Sequence, residues 1–392
     1  MERRWLGDSA RSVPVLSLGT ASFSSGPWSG SDPAEARRLV DISLDAGLNM
    51  FDTADVYSGG NAETVLGRAI AGCRDRVIIS TKAGLRSGPG EHEVGSSRGH
   101  LRAAVDGMLR RLRTDYIDLF QLHAFDALTP VEETMGVLDD LVRAGKLRQL
   151  GVSNYAGWQL MKSQAVARQN SWQPLVAHQV YYSLIGRDYE WELIPLGLDQ
   201  DVAALVWSPL GWGRLKGGAK KAAAGRHKEP APDYAPPLHD EALLRRVLEA
   251  LAGVARDTGK SEAQVALNWL LQRPTVASLI IGVSSEAQLR NNIEATGWAL
   301  DAEHMRLLDE ASAGLDPASR LALNRHVRQL CRDQGLAVLW TTHLLDEVTD
   351  DDELLILNRG RLVAQGQARR LAAGDADLGA TFARLTAGEV PA

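Results

Sequence analysis

The sequence predicts an α/β protein built around a parallel sheet, and three observations lead there. Short apolar runs recur along the chain, separated by segments with helical spacing. Runs such as VIISTK are continuously apolar, as expected of strands buried on both faces. Four runs close on polar residues: MFD on Asp52, VIISTK on Lys82, IDLFQLH on His123, and QLGVSN on Ser153 and Asn154. Such alternation suits a barrel or a doubly wound sheet. In a barrel, the carboxyl ends of the strands converge on one face, where such folds carry their chemistry.

Arg3 to about Val13 reads as a short hairpin, followed by a first strand ending near Leu18 and Gly19. DPAEARRLVDISLDAGL has helical spacing, with Asp32 as N-cap and Pro33 at the first helical position. The Asp52 strand follows. A helix capped by Asn61 leads to the Lys82 strand, and a glycine-rich polar loop from Ala83 to Ser96 leads to a helix starting near Ser97. YIDLFQLH is the fourth strand, and the next helix has Pro130 near its start and Gly145 at its end. QLGVSN, LVAHQVYY and VAALVWS are the fifth to seventh strands. Gly217 to Pro237, dense in Gly, Ala, Pro and Lys, reads as a mobile loop. A helix from Asp240 precedes another that opens on Ser261 and Gln264 in capping-box spacing. Ser278 to Ile281 is the eighth strand, and LDAEHMRLLDEASA the last helix of this part. A count of eight strands favours the barrel.

At 392 residues the chain is long enough for one barrel plus an appendage. Its 45% hydrophobic and 23% charged content is that of a soluble globular protein. A formal charge of -6 provides no basic face for nucleic acid. Cys73 and Cys331 form no pairing or metal-binding pattern, which suits a reducing, cytoplasmic setting. No apolar run has the length of a signal peptide or a membrane span, so neither export by that route nor membrane insertion is expected.

In FDTADVYSGG, Tyr57 follows Asp52 by five residues, and with ISTK and DLFQLH the four types Asp, Tyr, Lys and His meet at consecutive strand ends. From about Arg3 to about Ala313 the sequence resembles the aldo-keto reductases, whose catalytic tetrad has those types in that order. The resemblance selects a (β/α)8 TIM barrel with an N-terminal hairpin cap over residues 1–313. It implies Tyr57 as general acid and base, Lys82 tuning the phenol, Asp52 holding Lys82 charged, and His123 donating to a substrate carbonyl oxygen. A metal site is not expected, because Lys and Tyr are poor substitutes for a second His or carboxylate.

Side chains cannot carry hydride, so this chemistry needs a nicotinamide, and no GxGxxG opens a βαβ unit here. By resemblance, Ser153, Asn154 and Gln179 bond the carboxamide. Trp207, where the family usually has tyrosine, stacks on the ring. Ser208, Leu210 and Arg214 line the pyrophosphate, while Gly282, Ser284, Gln288 and Asn292 hold the adenosine end at a helix N-terminus. Many relatives have Arg or Lys where Ser284 stands. The family favours NADP, with NAD left open. The substrate class implied is a small carbonyl compound, within a pocket defined by the loops Ala83 to Ser96, Phe125 to Thr129 and Gly217 to Pro237, with Trp28 and Trp212 as an aromatic wall. A rival reading is a noncatalytic NADP-binding regulatory or transporter-associated subunit.

Beyond Ala311 the register changes. LDEASAGLDP and TTHLLDEV resemble the Walker B, D-loop and switch-histidine stretches of an ABC transporter ATPase, with Asp309, Glu310, Asp316 and His343 at the matching positions. Residues 314–392 then read as a small, incomplete α/β appendage: a helix Pro317 to Gln334, a strand Ala337 to Thr342 and a hairpin Leu354 to Ala364. No Walker A loop accompanies it, because GVARDTGKS has one residue too many between Gly253 and Gly259. ATP hydrolysis is therefore not expected, and exposed edges would favour docking on the barrel, association with another chain or disorder.

Overall fold

Arg3–Trp5 (β1) and Ser12–Pro14 (β2) pair antiparallel, Arg4 opposite Val13. Eight strands then form a closed parallel barrel: β3 Leu16–Gly19, β4 Met50–Asp52, β5 Ile78–Ala83, β6 Ile117–Leu122, β7 Leu147–Ser153, β8 Leu175–Tyr181, β9 Ala203–Trp207 and β10 Val276–Gly282. Its closing pair, β10 with β3, sets Gly282 opposite Gly19. This computed structural model describes residues 1–23, 33–90, 93–216, 241–312, 325, 327–333, 335, 337–339, 348–358, 361–373 and 378–386.

The strand period of two sorts side chains into two cores. Met50, Ile78, Leu119, Val176, Leu205 and Ala277 share the barrel interior with Leu6 and Val13 of the hairpin, which plugs its floor. The intervening residues Phe51, Ile79, Phe120 and Val206 face the helix layer in the larger core. Above the apolar plug the interior becomes polar, with Ser80, Gln121 and Gln179 all at or below 2% exposure.

Around the barrel the described helices are α1 Pro33–Asp45, α2 Asn61–Ala69, α3 Arg98–Leu112, α4 Val131–Arg143, α5 Gly157–Gln169, α6 Tyr189–Gln200, α7 Glu241–Thr258, α8 Glu262–Leu271, α9 Glu286–Ile293 and α10 Ala302–Ser312. Their stops and starts follow sequence chemistry. Ser97 caps α3 through the His100 amide, and Ser261 with Gln264 forms a reciprocal capping box on α8. The expected cap on α2 is corrected. Asn61 is its first helical residue, and the N-cap is Gly60 at φ 86° with no side-chain bond. A left-handed turn here needs glycine, and a Cβ at residue 60 would lie 2.8 Å from the Arg111 Nε. Asp32, Trp28, Asp240 and the loop Gly217 to Pro237 lie outside the described residues.

Residues Met1–Ser312 form one unit and Ala313–Ala392 another. Asp309, where the two sequence resemblances overlap, is built into the first. It forms ion pairs with Arg187 and Arg273 and accepts from the Trp269 indole. Glu310 pairs with Arg306 on the same helix. Among the described residues of the second unit, 327–333 are helical, and Glu353–Asn358 (β11) pairs antiparallel with Arg361–Gln367 (β12). A hairpin therefore forms where one was expected. Ala337, Val338 and Leu339 lie in no strand, which corrects that part of the expected Ala337 to Thr342 strand. Asp316 and His343 lie outside the described residues.

Candidate active site

Register brings the tetrad together. β4 sets Asp52 opposite Ser80, and β5 sets Lys82 opposite Gln121. These two strand ends are therefore neighbours on the barrel rim. Past β4 the chain keeps bonding to β5, from the Thr53 amide to Ser80 O at 2.8 Å and from the Asp55 amide to Lys82 O at 3.0 Å. That carries Tyr57 along the rim until Ser58, Gly59 and Gly60, all at positive φ, turn the chain down into α2.

Lys82 is fully buried. Its ammonium donates to Asp52 Oδ1 at 2.5 Å, to the Thr53 carbonyl at 2.8 Å and to the Tyr57 hydroxyl at 3.4 Å. Burial opposes the charge, but Asp52 and Tyr57 outweigh it and the Lys82 pKa is raised. Asp52 is held in turn by Ser80 Oγ at 2.8 Å and Gln179 Nε2 at 2.9 Å, with Gln121 donating to Ser80 Oγ at 2.9 Å. These bonds fix which carboxylate oxygen faces the lysine.

His123 follows β6, its amide bonded to Ala83 O at 2.8 Å, and its ring stands edge-on to Tyr57 with centroids 6.1 Å apart. Burial and the nearby Lys82 charge push its pKa down to about 3. The imidazole is thus neutral at physiological pH and can donate one ring N–H to an oxygen between it and Tyr57. Its Nδ1 is buried and has no hydrogen-bond partner among the described residues.

A family model described as the aldo/keto reductase family matches residues 15–313. The chain belongs to the aldo/keto reductase family. It is 35% identical over 326 residues to "Uncharacterized oxidoreductase YrpG" of Bacillus subtilis, covering 80% of this chain and 97% of that protein. It is 31% identical to "Versiconal hemiacetal acetate reductase" of Aspergillus parasiticus, covering 79% and 96%. It is also 31% identical to "Probable voltage-gated potassium channel subunit beta" of Arabidopsis thaliana, covering 75% and 91%. As an aldo/keto reductase it is an oxidoreductase of a family that reduces carbonyl groups and generally uses NAD(P)H.

The residues expected along the cofactor fall into three groups. Ser153, Gln179 and Trp207 lie on β7, β8 and β9, with Asn154 just past β7, and Ser153 is opposite Gln179 and Tyr181 opposite Trp207. The Asn154 amide donates to Ser153 Oγ at 3.0 Å and to the His123 carbonyl at 3.3 Å, and its oxygen accepts from the Trp207 indole at 3.0 Å. Trp207 is half-buried, tilted against Tyr181 at 5.1 Å and edge-on to Trp212 at 6.4 Å. Asn154 and Ser208 both sit at positive φ, at 57° and 49°. Each therefore turns the chain sharply at a strand end. Gln179 donates inward to Asp52, which the sequence did not disclose.

The second group lies where β10 meets α9. Gly282 is exposed, with open space where a Cβ would be. The cap here is Ser285, whose hydroxyl accepts from the Gln288 amide. Gln288 Oε1 accepts from the Ser284 amide at 2.9 Å and the Ser284 hydroxyl at 3.1 Å, and Asn292 is buried. Ser284 and Gln288 therefore brace each other across the helix start. In the third group Leu210 is buried, while Ser208 and Arg214 are partly exposed on the loop after β9.

Sequence reading missed Ser80, Gln121 and the Thr53 carbonyl, which complete the setting of Asp52 and Lys82. The signal was present for Ser80, which precedes Lys82 by two and so shares its face of the strand. Among the described residues, no group of three or more His, Cys, Asp or Glu could hold a metal, and no helix is long and apolar enough to cross a membrane.

Proposed function

We propose that this chain reduces an aldehyde or ketone to a primary or secondary alcohol, using NADPH, with Tyr57 as the proton donor. The observation that carries the reading is the Tyr57 hydroxyl 3.4 Å from a Lys82 ammonium whose charge Asp52 holds in place. A cation there eases release of the phenolic proton, and neutral His123 beside it orients the carbonyl oxygen.

The residues on the rim fit a dinucleotide: a half-buried indole fixed by Asn154, hydroxyl and amide groups next to it, and an open glycine ahead of a helix. When bound, the nicotinamide supplies the hydride. Ser153, Asn154, Gln179 and Trp207 would hold that end, Ser208, Leu210 and Arg214 the pyrophosphate, and Gly282, Ser284, Gln288 and Asn292 the adenosine. NADPH is preferred on family grounds, and initial rates with NADH more than about tenfold higher would reverse that choice.

NADPH oxidation across small aldehydes, keto acids and sugars tests the activity. Tyr57→Phe should cut kcat about 10²–10⁴-fold while leaving NADPH binding in place. Binding without turnover in the unmutated protein would favour the second reading, a regulatory subunit, to which the name of the potassium-channel relative points. For residues 314–392 we retain the motif reading, a fragment resembling the end of an ABC ATPase without its phosphate loop. It predicts no phosphate release from ATP by the full chain.

A further inference from the structure

Asp55 lies in the rim loop between Asp52 and Tyr57, only 5% exposed. Its amide is tied to the Lys82 carbonyl at 3.0 Å. Among the described residues no side chain donates to either of its carboxyl oxygens, and the Val56 amide offers only a backbone contact. A buried carboxylate without a donor is costly, so such a group either finds a cation or keeps its proton. The cation at hand is already committed. Arg111 on α3 gives its Nε to Glu63 Oε2 at 2.7 Å, and Glu63 on α2, fully buried, takes Thr81 Oγ1 at 2.6 Å on its other oxygen. Among the described residues, the other charge acting on Asp55 is Lys82 on β5, which Asp52 holds.

We propose that Asp55 is a positioning residue that sets the pH response of the Tyr57 acid, its carboxyl neutral while Glu63 keeps Arg111 and ionised as the pH rises. The inference rests on Tyr57 being the proton donor. Burial first, and Glu63 second, push the Asp55 pKa up to about 7, against the opposing pull of Arg111, Val56 and Lys82. Below that point Lys82 acts on Tyr57 at full strength. Above it, a new negative charge offsets the ammonium and Tyr57 holds its proton more firmly.

The test is the pH dependence of kcat for NADPH with 4-nitrobenzaldehyde and, in reverse, for NADP with 4-nitrobenzyl alcohol. In Asp55→Asn the alkaline midpoint of reduction and the onset of oxidation should both move to lower pH, by about 0.5–1 unit. A purely structural role would change rates without moving both midpoints together. Stability supplies an arm that needs no turnover. A carboxyl with raised folded pKa stabilises the fold most below its ordinary value of 3.8, and loses that contribution as the pH rises to about 7. The melting temperature of Asp55→Asn relative to the unmutated protein should therefore rise from pH 5 to pH 8. Unmoved midpoints, or a melting difference flat with pH, overturn the proposal. Undiminished turnover in Tyr57→Phe would instead overturn the assignment of the acid, leaving the melting arm to judge Asp55.

Discussion

Lys82 Nζ lies 2.5 Å from Asp52 Oδ1, with both side chains all but sealed from solvent. Removing one charge of a buried pair strands the other, at a cost of about 3–5 kcal/mol. Lys82→Met should therefore lower stability by roughly that amount as well as abolish turnover. In the double variant with Asp52→Asn, part of the stability should return while activity stays lost. Chemical denaturation of both variants gives the comparison, and equal destabilisation in single and double variants would contradict it.

His123 should remain neutral across the working range. With its pKa pushed down to about 3 by burial and by Lys82, it is uncharged above that point and takes up a proton only near it. Its ring resonances in a nitrogen-edited NMR titration should be flat from pH 5 to 9. A midpoint near the ordinary 6.5 would show that the site is wetter than this structure has it.

The indole of Trp207 is anchored to Asn154, donating to its side-chain oxygen at 3.0 Å. Asn154→Ala removes that bond and the two that the amide donates to Ser153 and His123. We expect NADPH affinity to fall about tenfold, equivalent to about 1.4 kcal/mol, by fluorescence titration. Trp207→Phe keeps a flat ring but loses the anchor, so it should weaken binding less than Trp207→Ala.

Asp309 serves the barrel. Asp309→Ala leaves Arg187 and Arg273 without their shared carboxylate and should lower stability by about 1–3 kcal/mol, with kcat at 25 °C little changed. A kinetic defect with an unaltered melting temperature would point to some other role.

The barrel strands and the caps at Ser97 and Ser261 could be read from the chain, because each follows from a local pattern. Apolar runs mark strands, Ser97 and Ser261 mark helix starts, and polar residues at strand ends mark the candidate active rim. Gly60 rather than Asn61 at the start of α2 could not be read so easily, since it rests on a left-handed backbone turn at residue 60, with φ 86°.

By itself the sequence determined the eight-fold alternation and the order in which Asp52, Tyr57, Lys82 and His123 arise. Tertiary structure alone decided which groups surround them: Ser80 and Gln179 on Asp52, Trp207 on Asn154, and Arg111 with Glu63 instead of Asp55. The physical reason is that hydrophobic periodicity fixes the face on which a side chain lies. Its hydrogen-bond and charge partners come from strands and helices far away in sequence, and only barrel closure sets their register.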